Sequence, residues 1–147
     1  MATVLVVYHS MSGNTKAMAE AVAEGAREVD VVDVNIKPGP EAGTQDLLDC
    51  DAVALGSPDY FSYMAGGMKD FFDRTYYPTQ GELSDTPCGI FGSAGGTADV
   101  VIGCLQDMAA KFELSEIAGP VGGSGEPSEG VLRKCRELGR ALAEAAS

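Results

Sequence analysis

The chain has 147 residues, which fits a single domain over 1–147 and leaves no room for a second catalytic module. Its formal net charge of −12 gives a surface that repels phosphate backbones and argues against nucleic acid as a partner. No apolar stretch approaches the roughly 20 residues that span a bilayer, and Met1-Ala2-Thr3 runs into Val4-Leu5-Val6-Val7 without a basic segment or cleavage site, so the expected location is the cytoplasm.

Val4-Leu5-Val6-Val7-Tyr8 is a nearly unbroken apolar run, as expected of a strand covered on both faces. A Ser/Gly/Asn/Thr cluster follows, then Met18, Ala21, Val22 and Gly25 at helical spacing. Val29–Val34 reads as a second strand. A Pro/Gly-rich connection (Lys37–Pro40) and a short turn through Leu47-Leu48 lead to a third strand, Ala52–Gly56. Met68, Phe71 and Phe72 mark the next helix, Cys88–Gly92 a fourth strand, and Val101, Cys104, Leu105, Met108 and Phe112 another helix. A fifth strand is expected between Leu114 and Val121, where Gly119-Pro120 interrupts the pattern. The final helix follows Pro127 and turns Val131, Cys135, Leu138 and Leu142 inward.

Strands alternating with amphipathic helices imply right-handed βαβ crossovers and an α/β fold, with helices on both faces of a parallel sheet. Five strands in a chain of this length match the smaller doubly wound architecture, order 2-1-3-4-5. The four cysteines (Cys50, Cys88, Cys104 and Cys135) form no Cys-x-x-Cys pair and read as reduced, small apolar residues, with no metal site expected.

In such a sheet, ligands bind beyond the carboxyl ends of the strands where the strand order reverses, here between strands one and three. Three loops therefore matter. The first, Ser10-Met11-Ser12-Gly13-Asn14-Thr15, sits at a helix start. There, successive N–H groups and hydroxyls can hold a phosphate without a lysine or arginine in the loop. The Walker pattern is absent. The second, Gly56-Ser57-Pro58-Asp59-Tyr60-Phe61-Ser62-Tyr63-Met64, concentrates aromatic residues suited to walling a planar ring. The third, Ser93-Ala94-Gly95-Gly96-Thr97, has glycines that permit close backbone approach to a flat ligand.

From Val6 to Val22 the chain resembles the N-terminal signature of the flavodoxins, with Tyr8, Ser10, Gly13, Thr15, Ala19 and Val22 at the family's spacing. From Gly56 to Arg74, through Met64, Met68-Lys69, Phe71 and Asp73-Arg74, it resembles flavodoxin-like NAD(P)H:quinone oxidoreductases. The resemblance implies a flavodoxin-like domain that binds FMN non-covalently. The first loop would hold its 5′-phosphate, and residues 58–62 and 93–96 would surround the ring. It also implies a flavin oxidoreductase that takes electrons from NAD(P)H and passes them to a quinone-like acceptor. The alternative is a one-electron carrier serving redox partner proteins. The third loop lacks the aromatic residue that sandwiches the ring in many flavodoxins. The histidine that the quinone reductases carry after that loop is also missing, since the chain's single histidine is His9. A scaffold that has lost FMN is disfavoured by the suitable residues kept in all three loops. No side chain stands out as an acid/base catalyst, and a monomer or homodimer is expected.

Overall fold

The computed structural model describes residues 1–147. Its elements are β1 (Ala2–Tyr8), α1 (Asn14–Arg27), β2 (Val32–Pro38), a 3₁₀ turn (Gly39–Glu41), α2 (Thr44–Asp49), β3 (Ala52–Pro58), α3 (Gly66–Thr79), β4 (Pro87–Ala94), α4 (Asp99–Lys111), β5 (Ser115–Glu116), β6 (Val121–Ser124) and α5 (Glu129–Ala146). All strand pairings are parallel in the order β2-β1-β3-β4-β5, with β6 also paired to β4. This is the doubly wound order read from the sequence.

The expected fifth strand is therefore two pieces on one edge. Pro87 and Cys88 of β4 pair with Ser115 and Glu116, and Phe91–Ala94 pair with Val121–Ser124. The Ile117 N–H still donates to the Cys88 carbonyl (3.1 Å), and residues 118–120 then leave the ladder, consistent with Pro120 having no N–H to donate there.

The sheet separates two apolar layers. Met18, Ala19, Val22 and Ala23 of α1 pack with Cys135, Leu138 and Leu142 of α5 against Val4, Val6 and Phe91. On the other face, Met68, Phe71 and Phe72 of α3 and Val101, Ile102 and Leu105 of α4 cover Leu5, Leu55 and Ile90. Every residue of β3 is buried, which explains its unbroken apolar run. No helix is long and apolar enough to cross a membrane.

The second strand starts three residues later than its valines suggest. Val31 has a φ of 61° in the turn after α1, and the ladder opens at Ala2–Val32. From there, half-buried Val32, Val34 and Ile36 alternate with exposed Asp33 and Asn35. The strand then runs on through Pro38, at the sheet edge, where a missing donor costs nothing. Arg74 pins the turn that follows. Its Nη1 and Nη2 donate to the carbonyls of Ala42 and Gly39 (3.0 and 2.9 Å), and its Nε donates to Asp70 (2.8 Å).

The stretch around Leu47-Leu48 is a true helical turn, α2, held at its start by Asp46. Partial burial works against ionisation of the Asp46 carboxyl. Bonds from Lys37 Nζ (2.8 Å) and the Gly43 N–H (2.9 Å) outweigh it and bring the pKa below its ordinary 3.8. A lowered folded-state value means stability that is present above the unfolded value and lost as pH falls through the folded one. Asp46→Asn is expected to lower stability by up to about 1 kcal/mol at neutral pH. In denaturant melts run across pH, that difference should close on the acid side of 3.8.

All four cysteines are free. Burial pushes the Cys50 thiol up to about 12, with the Asp51 carboxylate adding to it, and burial does the same for Cys135. Burial also raises Cys88 and Cys104, so none of the four is poised as a thiolate nucleophile.

Candidate functional site

The carboxyl ends of β1, β3 and β4 bring the three loops to one open cleft of about 150 Å³. It is lined by Met11, Ser12, Asn14 and Thr15 from the first, by Pro58, Asp59 and Tyr60 from the second, and by Ser93, Ala94 and Gly95 from the third. Gly125, after β6, completes the lining. Gly125 is a site residue that none of the three loop motifs marks. The signal available was its place in the Gly-rich run after the edge strand, where its N–H donates to the Ala94 carbonyl (2.8 Å). Ser124 Oγ adds a bond to the Gly95 carbonyl (3.3 Å).

The first loop turns into α1 at Gly13, whose φ of 99° lies in the left-handed region. The Gly13 N–H donates to Ser10 Oγ (3.1 Å) and its carbonyl accepts the Ala17 N–H (3.0 Å). Ser10 and Gly13 thus shape the loop from behind rather than lining the cleft. No side chain caps the helix. The N–H groups of Ser12, Asn14, Thr15 and Lys16 have no acceptor within the chain, leaving a row of donors at the positive end of the helix dipole. Lys16, the nearest cation in sequence, lines a different groove with Glu20, Glu24 and Arg27, so it adds no charge to the cleft wall.

The second loop is a tight hairpin. The Tyr60 N–H donates to the Tyr63 carbonyl (2.9 Å) and the Tyr63 N–H to the Tyr60 carbonyl (3.2 Å). Phe61 and Ser62 occupy the two central positions with φ of 58° and 61°, the geometry of a type I′ turn without the glycine or asparagine that usually relieves it. Asp59 Oδ1 holds that turn by accepting the Ser62 N–H (2.8 Å). One consequence is that Phe61 and Ser62 stand outside the cleft, and Phe61 is fully exposed (102%). Of the aromatic residues of this loop, Tyr60 alone lines the cleft. His9 supports it from behind, edge-on at 6.0 Å between ring centroids. The His9 ring also occupies the space that a Cβ at Gly67 would need. It is a packing residue of the site.

The third loop is tied to both others through Ser93. Its hydroxyl meets Thr15 Oγ1 at 2.7 Å, and its carbonyl accepts the Asp59 N–H at 2.8 Å. Beyond it, a Cβ at Gly95 or Gly96 would meet no atom within 4 Å, so nothing inside the protein requires glycine there. Gly96 lies just outside the lining. The only carboxylate in the wall is Asp59, and no lysine or arginine is present.

Residues 6–93 match the family model described as Flavodoxin. A flavodoxin of Aquifex aeolicus is 37% identical, the match covering 98% of this chain and 86% of that protein. The chain belongs to the flavodoxin family. An NAD(P)H dehydrogenase (quinone) of Caulobacter vibrioides is 34% identical, with 99% of this flavodoxin-family chain and 98% of that protein covered. That alignment runs over 194 positions, more than this chain's 147 residues, so the dehydrogenase has segments that this family member lacks. Among solved structures, a flavodoxin from the domain Archaea superposes with a TM-score of 0.85 at 27% identity, covering 98% of each chain.

Proposed function

We propose that this chain is an FMN-binding redox protein whose flavin sits in the three-loop cleft. The observation that carries the reading is the row of unpartnered N–H groups from Ser12 to Lys16 at the start of α1, opening on the same cleft as two loops shaped for a flat ring. The fit is specific. Neutral donors and the helix dipole suit a phosphate ester, Tyr60 offers an aromatic wall, and Gly95 and Gly96 leave space that the protein does not use itself.

Bound FMN supplies one- or two-electron redox chemistry. The chain's residues would do the rest. Ser12, Asn14, Thr15 and Lys16 donate to the phosphate through their backbone N–H groups. Tyr60, buttressed by His9, flanks the ring, while Ala94, Gly95 and Gly125 present backbone close to it. The Asp59 carboxylate places negative charge in the wall and so disfavours extra negative charge on the ring.

Between the two redox roles, the cleft favours a carrier that exchanges single electrons with a partner protein. It is open, and its wall holds no cation to receive a nicotinamide dinucleotide. The run from Gly56 to Arg74 favours the second role, a reductase that passes electrons from NAD(P)H to a quinone-like acceptor. Arg74, however, is spent on the turn at 39–42 rather than on the cleft.

Anaerobic absorbance titration of the FMN-loaded protein with NADH, NADPH and then dithionite separates them. The carrier role predicts no bleaching by either nucleotide and two resolved one-electron steps with dithionite. Rapid, complete bleaching by a nucleotide would overturn it in favour of the reductase.

A further inference from the structure

The contact between Thr15 and Ser93 joins residues 78 apart in sequence and is buried at both ends, with exposures of 1% and 4%. Each hydroxyl can donate once and accept twice. Their mutual bond is the only one either hydroxyl makes within the chain, so one of the two protons is left over. Both residues line the cleft. An anion held at the N–H groups of residues 12–16 would take that spare proton from Thr15, which sits in the same first helical turn. Ser93 must then be the donor to Thr15.

Building on the FMN reading above, we propose that Ser93 is a positioning residue for the flavin phosphate: it donates to Thr15 Oγ1 and thereby commits the Thr15 hydroxyl to donate into the phosphate site. A strand residue on the ring side of the cleft thus controls a donor on the phosphate side. The arrangement is cooperative, because a hydroxyl that accepts one bond is a better donor in the next. The Ser93 carbonyl, which holds Asp59, belongs to the backbone and survives any change of side chain. Removing the hydroxyl therefore leaves the ring loop tied.

The test is flavin fluorescence quenching on the full chain stripped of flavin, with FMN and riboflavin titrated separately. Riboflavin has the ring and the ribityl chain but no phosphate. Ser93→Ala is expected to weaken FMN on the order of tenfold, the scale of one hydrogen bond to a charged group. Riboflavin should stay within about twofold, since its contacts are untouched. Thr15→Val should do the same, and the Ser93→Ala/Thr15→Val pair should be no worse than either alone. Ser93→Thr, which keeps a hydroxyl, should restore most of the FMN affinity. Equal losses for both flavins, unchanged FMN affinity in Ser93→Ala, or fully additive losses would overturn the relay. Failure of the unmodified chain to bind either flavin would instead overturn the FMN reading on which the relay rests.

Discussion

Gly13→Val is expected to weaken FMN binding by more than about a hundredfold while leaving the fold intact. The residue sits at φ 99°, and a Cβ there would meet no atom within 4 Å. The damage is thus conformational rather than a matter of space. A β-branched residue is a genuine outlier at positive φ, and the left-handed region costs L-residues roughly 1–2 kcal/mol. The loop relieves that strain by turning Gly13 over. This breaks its bonds to Ser10 and Ala17 and swings the N–H groups of Ser12 and Asn14 out of their shared direction. Losing several charge-assisted bonds at once should weaken FMN by more than about a hundredfold. The loop lies outside both apolar layers, so the melting temperature should fall by only a few degrees. Gly13→Asn should retain most of the affinity, because asparagine tolerates this conformation. Isothermal titration with FMN ranks the three proteins, and an order other than Gly, Asn, Val would contradict the placement of the phosphate.

Gly139→Ala is expected to destabilise the protein, against the helix propensity of alanine. Where α1 and α5 cross, the two backbones touch through reciprocal glycines. A Cβ at Gly139 would run into the Val22 carbonyl, and one at Gly25 into the Arg136 carbonyl. Backbone cannot rotate aside as a side chain can. The helices must therefore separate, loosening Met18, Val22, Leu138 and Leu142 from the sheet. Overpacking of this kind costs typically 1–3 kcal/mol. A loss of about 3 kcal/mol, the upper end of that range, is a large share of the 5–15 kcal/mol available to such a domain. It should lower the melting temperature by roughly 6–12 °C. Gly103→Ala in α4 is the matched control, since a Cβ there meets nothing within 4 Å. It should be neutral or stabilising by up to about 1 kcal/mol. Thermal melts of the two variants test the pair, and equal effects would show that the crossing is not in backbone contact.

Much of this architecture is legible in the sequence because a parallel sheet buried on both faces leaves a strong mark. The runs at Val4–Tyr8, Ala52–Gly56 and Cys88–Gly92 admit little else, and the helical stripes between them fix the crossovers. The edges are harder to read. Val29 and Val31 look like strand residues, yet four residues of turn, Glu28–Val31, separate α1 from the point where β2 enters its register. At the other edge, a proline splits what hydropathy presents as one weak strand.

The site divides in the same way. Its three loops follow from topology, because a doubly wound sheet has one switch point. Side-chain direction within them does not. Composition places Phe61 beside the ring, whereas the strained turn at Phe61-Ser62 sends it into solvent. Lys16 is adjacent to the phosphate loop in sequence but faces another groove, because one residue along a helix rotates a side chain by about 100°. The Thr15–Ser93 contact joins segments that no local pattern relates.

The measurement that bears most directly on the central claim is a fluorescence titration of the flavin-free protein with FMN, repeated with riboflavin. The account predicts stoichiometric quenching at one FMN per chain, with riboflavin binding more weakly by the share that the N–H row contributes. Unquenched FMN emission at every ratio, or equal affinity for the two flavins, would contradict a phosphate held at the start of α1.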